Sequence, residues 1–450
     1  MKLEISLLSL MAAAGLQAAP VVSVPVVSAQ DDAGRMTVSY DLSGEDAIVT
    51  AELLVDGEPY ADKAVPMAGD VNRKVVRGTG KTFTVYPAQG GVASSGTLTV
   101  RLKAWSLDNP PDYLTISLTT PKQRRYYATA EAVPQGIGAD IYKTDILLMR
   151  KIPATGVTWR MGQPYPDGEN CASGSGAPNT KADILDNETG HMVRLTNDFY
   201  AAIYPMTQLQ YHRLTGAWTT QSYESIPLPD RYVTPVSGSG SSALSYNALR
   251  GTPDASFKGW PQSGHAVKPG SVLAAIRDYT GVSGLDLPTE AEWEYACRAG
   301  TGTSLNSGKN VSDPISGRHD ANMAEVGWMQ YINPPKLKSE FPVGLKKPNA
   351  WGLYDCHGNV GELCLDWYAT GTVYRATFAS GWETGVATVA PVGSANEDGA
   401  ITTRITRGGD WFYSSSWARS ASRRLSADPT KGTYHNGFRL FCRTDFEKAQ

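Results

Sequence analysis

The residues of this chain best suited to bind a metal or attack a substrate are five cysteines, Cys171, Cys297, Cys356, Cys364 and Cys442, and six histidines. No two cysteines form a C-x-x-C pair and no H-E-x-x-H occurs, so a zinc centre has little support. An odd cysteine count leaves at least one thiol outside any set of disulfides. Nucleophile templates also fail. There is no G-x-S-x-G, and Gly302 to Lys309 misses the phosphate-loop spacing by one residue, with Asn310 where a Ser or Thr would coordinate magnesium. The acids Glu290 and Glu292 are accounted for by helix capping. What remains is Asp410 to His435, where Trp411, Tyr413, Trp417, Tyr434 and His435 are interspersed with Ser, Thr, Asp, Lys and Arg, Arg419 among them, without a core period. Aromatics among small hydroxyl residues resemble a paratope. Trp and Tyr give large rigid contact area, and Ser adapts its hydrogen bonds. The plain alternative is that Trp411 packs under the surface and the others are ordinary loop residues.

The elements that must position these residues fall into two regions. From Val21 to Thr120 the apolar residues alternate: Met36, Val38, Tyr40 and Leu42; Val49, Ala51, Leu53 and Val55; Leu98, Val100, Leu102 and Ala104. Such a period of two puts one face of each strand on a core, and Asp56-Gly57 is a hairpin-turn signal. Residues 20–130 are therefore expected to form a small all-β sandwich similar to immunoglobulin or fibronectin modules, with a linker over 131–145 and a second domain over 146–445. In the second domain Thr289-Glu290-Ala291-Glu292 is a capping box that predicts a helix from Glu290 to Arg298. Ser271 and Thr207 cap two further helices.

With 450 residues, 41% hydrophobic and 19% charged, and a formal net charge of -3, the chain is neither a disordered acidic polymer nor a basic nucleic-acid binder. Residues 1–19 read as an export signal: Lys2, an apolar stretch from Ile5 to Leu16, then Leu16-Gln17-Ala18-Ala19 before Pro20. No later run approaches the length of a membrane span. The expected location is secreted, periplasmic or at the cell surface.

Five blocks then carry a family. They are Leu287-Pro288-Thr289-Glu290-Ala291-Glu292-Trp293-Glu294-Tyr295-Ala296; Pro348-Asn349-Ala350-Trp351-Gly352-Leu353-Tyr354-Asp355; Gly358-Asn359-Val360 with Glu362; Arg407-Gly408-Gly409 with Trp411; and Gly437-Phe438-Arg439. Together with Met161-Gly162 and Tyr204-Pro205-Met206-Thr207 they resemble, over about 300 residues from Ile146, the formylglycine-generating enzymes, the sulfatase-modifying factor family. The resemblance implies an irregular α+β fold of the C-type-lectin kind.

The family includes copper oxidases that convert a sulfatase cysteine to formylglycine and place a cysteine pair shortly after Arg-Gly-Gly. Asp410 to Arg419 contains no cysteine, so copper is not expected. The resemblance further suggests two disulfides, Cys297 with Cys442 and Cys356 with Cys364, although connectivity cannot be read from sequence. It implies a calcium loop with Asp355 and Glu362 as side-chain ligands and Gly358 and Val360 as backbone ligands, with Asn322 at a second site; Gly361 and Leu363 stand where the family usually has tryptophans. Some relatives vary the C-terminal stretch to change their ligand. The expected function is thus a secreted recognition protein for an extracellular protein, peptide or glycan. A formylglycine-generating oxidase and a structural envelope component are the alternatives.

Overall fold

A computed structural model of the chain describes residues 18–60, 64–92, 96–162, 188, 190–218, 230–237, 244–312, 320–330, 340–369, 386–394, 396, 399, 401–423 and 425–449. Nearly all of the expected export segment, and Cys171, lie outside these residues.

The chain divides into two compact units, Met1–Pro110 and Pro111–Gln450. In the first, strands β1 (Met36–Ser43), β2 (Ala47–Val55), β3 (Gly78–Val85) and β4 (Leu98–Ser106) are the long elements. β1 pairs antiparallel with β3, and β2 pairs with β4 along its whole length, from Ala47 opposite Ser106 to Val55 opposite Leu98. These pairs lie in separate sheets. Met36, Val38, Tyr40 and Leu42 from one sheet and Ala47, Val49, Leu53 and Val100 from the other share a single buried cluster, which makes the unit a sandwich. Asp56 and Gly57 both have positive φ, 52° and 88°, as a tight hairpin turn requires.

The second unit has the α+β composition expected. β5 (Tyr113–Ser117), β6 (Arg124–Tyr127), β7 (Ile146–Ile152) and β8 (Phe199–Ala202) are followed by helices α1 (Gln208–Thr215) and α2 (Val272–Thr280). After them come β9 (Leu285–Asp286), helix α3 (Glu290–Arg298), β10 (Gly361–Trp367), β11 (Arg404–Arg407), β12 (Asn436–Gly437) and β13 (Phe441–Arg443). One sheet runs β6-β5-β7-β8-β13-β9, and another sets β11 antiparallel and β12 parallel to β10.

The boundary expected at residues 131–145 is corrected to Pro110/Pro111. Alternation in Tyr113–Ser117 identifies a strand but not its partner. That partner is β7, with Leu114 opposite Met149 and Ile116 opposite Leu147. The helices start where the caps predict. Thr289 Oγ1 accepts from the Glu292 amide at 3.2 Å while Glu292 Oε2 accepts from the Thr289 amide at 2.8 Å, Thr207 and Gln210 repeat this box, and Ser271 caps α2.

The charged residues of the family blocks converge in the interior. Arg423 makes a forked pair to Glu290 at 2.5 and 3.1 Å, and Arg298 reaches Glu294 at 2.8 Å. Arg407 pairs with Glu294. Arg439 holds Glu362 at 2.7 and 3.0 Å, and the Trp293 indole N–H donates to the same carboxylate at 2.7 Å. Burial alone would push the Glu294 carboxyl up, but Arg298 and Arg407 outweigh it and hold the group below the ordinary range. Removing one member strands the other charge in a dry interior. Arg439→Ala is expected to lower the unfolding free energy by about 3–5 kcal/mol in urea denaturation, and the paired replacement Arg439→Met with Glu362→Leu to recover only part of it, because the carbonyls of Ala202, Ile203 and Tyr354 and the Trp293 indole lose their partners.

Candidate functional site: an aromatic face on the loop after β11

β11 ends at Arg407, and Gly408 and Gly409 follow with φ of 90° and 70°. A Cβ on Gly409 would lie 2.8 Å from the Ala418 Cβ and 3.0 Å from the Trp417 carbonyl oxygen, so only glycine lets the loop fold back on itself. Within that loop the Tyr413 and Trp417 rings stack, 4.4 Å apart and 15° from parallel. The His435 ring lies 5.2 Å from Phe412, 5.7 Å from Tyr413 and 5.0 Å from Tyr434. Phe412 is 39% exposed and Tyr434 42%, so the cluster presents ring faces to solvent.

Two residues expected in this face are elsewhere. Trp411 is 2% exposed; its amide donates to the Asn359 carbonyl at 3.1 Å and its indole N–H to the Tyr434 carbonyl at 3.3 Å. Arg419 is buried in a forked pair with Glu188 at 2.7 and 3.0 Å. Both hold the loop from beneath. Phe412 was not singled out from sequence, although it lies in the same aromatic run. Glu340 had no sequence signal, because its partner Ser237, donating at 2.6 Å, is 103 residues away. Burial pushes Glu340 up to about 7, and it feels both His435 and Asp410.

The side chains expected to hold calcium are a poor fit for the ion. Both Glu362 oxygens are engaged by Arg439, whose guanidinium supplies the positive charge a cation would bring. Asp355 keeps one buried oxygen without a partner, its other oxygen accepting from the Gly344 amide at 2.7 Å, and burial pushes its carboxyl up to about 6. That single oxygen is not a cage of hard ligands. Asn322 donates to the Asn310 carbonyl at 2.8 Å, on the separate helix Ala321–Val326. Among the described residues no group of three or more His, Cys, Asp or Glu is placed to hold a metal.

Neither expected disulfide forms. Cys297, Cys356, Cys364 and Cys442 are all buried free thiols. Cys442 lies on β13 opposite Tyr200 and Leu285, with its thiol near the Arg443 carbonyl, while Cys297 abuts Cys356. Cys364 on β10 turns toward the Glu362 carbonyl. No thiol therefore reaches the aromatic face from the described residues.

Residues 166–444 match the family described as the sulfatase-modifying factor enzyme 1-like domain, more than half of the chain. The chain belongs to that family. Among curated relatives it is 33% identical over 165 residues to a formylglycine-generating enzyme of Thermomonospora curvata, covering 36% of this chain and 50% of that one. With a formylglycine-generating enzyme of Mus musculus it shares 37% over 101 residues, 22% of this chain and 27% of that one. It thus spans half or less of the length of these sulfatase-modifying factor relatives. The solved structure of Treponema denticola variable protein 1 is similar at a TM-score of 0.43 and 22% identity, over 66% of this chain and 95% of that one.

Two outcomes follow from this geometry. Treating the protein with a calcium chelator is expected to leave its melting temperature unchanged in differential scanning calorimetry. Glu340 titrates near 7 when folded and near its ordinary 4.5 when unfolded, so its stabilising effect is complete below about 4.5 and is lost as pH rises through about 7. The stability of the parent relative to Glu340→Gln should fall across that window, read from denaturant midpoints at each pH.

Proposed function

We propose that this member of the sulfatase-modifying factor family is a recognition protein that binds an extracellular protein, peptide or glycan through Phe412, Tyr413, Trp417, Tyr434 and His435. The observation that carries the reading is the stacked Tyr413–Trp417 pair flanked by the half-exposed rings of Phe412 and Tyr434. Aromatic faces of this kind suit the apolar side of a sugar ring or a planar peptide side chain, and concentrate binding energy in a few rigid residues. The export signal read in residues 1–19 supports a location outside the cytoplasm, at a surface or in the periplasm. A recognition role also accords with the loop after Arg407-Gly408-Gly409, which holds aromatic and hydroxyl side chains and no cysteine.

The relatives named formylglycine-generating enzyme supply the competing reading, oxidation of a sulfatase cysteine. Incubation with a cysteine-containing sulfatase peptide and oxygen is expected to yield no aldehyde by mass spectrometry; aldehyde formation would overturn the recognition reading.

On a glycan and peptide array, the full chain should capture a ligand that the Tyr413→Ala/Trp417→Ala variant binds at least about tenfold more weakly. Circular dichroism must show that the variant remains folded. Capture that survives this double substitution, in a folded protein, sinks the assignment.

A further inference from the structure

A cavity in the same unit, built from residues other than those of the aromatic face, has the makings of a small-molecule site. It measures about 210 Å³ and lies between the segment Leu195–Phe199, the N-terminus of α3 and the strand-flanking residues Ala390–Val392. Its apolar wall is Trp260, Phe199, Pro391 and Val392, and its charged groups are Asp198, His265, Glu292 and Arg443.

These groups are held ready. His265 Nδ1 lies 2.9 Å from Asp286 Oδ2, and Asp286 is itself buried and clasped by Arg250 at 2.9 and 3.0 Å. That contact fixes the imidazole and leaves Nε2 uncommitted among the described residues, with the Trp260 ring 5.0 Å away. Glu292 spends Oε2 on the cap of α3, where the Thr289 amide and hydroxyl donate to it at 2.8 and 3.0 Å. No donor among the described residues reaches Oε1. Among the described residues the Arg443 side chain has only a long contact, 3.7 Å, to an exposed Asp445.

A capping box needs one glutamate oxygen, and a buried ion pair needs no imidazole attached to it. The uncommitted Glu292 oxygen, the oriented His265 and the loosely paired Arg443 therefore have no structural duty in common except the cavity they line. Glu292 on one side and Arg443 and His265 on the other, around an aromatic wall, complement a ligand carrying both charges. We propose that this cavity binds a small zwitterion of the free amino acid type. Its ammonium meets Glu292 and the Trp260 ring, and its carboxylate meets Arg443 and His265. Burial holds the Glu292 carboxyl above its ordinary value, and a bound ammonium would favour its ionised form.

The test is isothermal titration calorimetry of the full chain with the proteinogenic amino acids as probes. For any amino acid that binds, the matching amine without a carboxylate and the matching acid without an ammonium follow. Expected are saturable binding of at least one amino acid, and a loss of about tenfold or more when either charged end is missing. Glu292→Gln, which keeps the capping geometry, and Arg443→Gln, on a half-exposed side chain, should each weaken binding by a similar factor. The proposal is overturned if no amino acid binds, if the amine or the acid binds as well as the zwitterion, or if both variants bind as the parent does. Loss of the Tyr413–Trp417 pair should leave this binding intact, which separates the two sites.

Discussion

The second unit depends on how buried carbonyl groups are satisfied in a chain with little regular structure. A long helix or a wide sheet pairs its own backbone, whereas loops that cross an interior must find donors elsewhere. Here the donors are guanidinium groups. Arg439 donates to the carbonyls of Ala202, Ile203 and Tyr354, Arg404 to that of Leu365, Arg407 to that of Ser420, and Arg250 to those of Gly264 and Ala266. Each brings several N–H donors in a fixed fork. Three of these buried cations bring a cost that buried carboxylates offset: Glu362 is the counter-charge of Arg439, Glu294 and Glu290 those of Arg407, and Asp286 that of Arg250. The family blocks are thus the two halves of one interior network, glutamates on α3 and β10 and arginines on β11 and after β12.

That network positions the aromatic face. Arg407 anchors the end of β11, the two glycines reverse the chain immediately after it, and Arg419 fixes the far end of the loop to Glu188. Between these anchors Trp411 is turned inward and Phe412, Tyr413 and Trp417 are left at or near the surface. The same network explains why Glu362 is ill suited to ligate calcium. A carboxylate whose oxygens are both taken by an arginine has no lone pair directed at a cation.

Much of this was legible in the sequence because local signals and local structure coincide. The capping boxes at Thr289 and Thr207 and the alternation in Met36–Ser43 rest on contacts within a few residues, and the ordered blocks from Leu287 to Arg439 fix the family. Partners far apart in sequence were not legible. Alternation in Tyr113–Ser117 says strand in either unit; only pairing with Ile146–Ile152 decides which. Likewise five cysteines can be counted, but the β-pairing that sets Cys442 opposite Tyr200 and Leu285, and the packing of Cys297 against Cys356, depend on the finished fold. Trp411 and Arg419 were read as ligand contacts because they share the composition of their neighbours, and composition does not report which way a side chain turns.

A division of labour emerges within one loop. Residues bound into the interior network, Arg407, Trp411 and Arg419, are tied to several partners each, so a change there propagates into the core. Phe412 and Tyr434 meet mainly other rings and solvent, and their replacement disturbs little beneath them. A fold braced by buried ion pairs can therefore exchange the side chains of its outer face while its scaffold stays fixed. This is the physical condition for one architecture to serve either chemistry or recognition, since fold alone decides neither. In this chain the exchangeable positions carry aromatic rings, and the reactive sulfur of the described residues is kept inside.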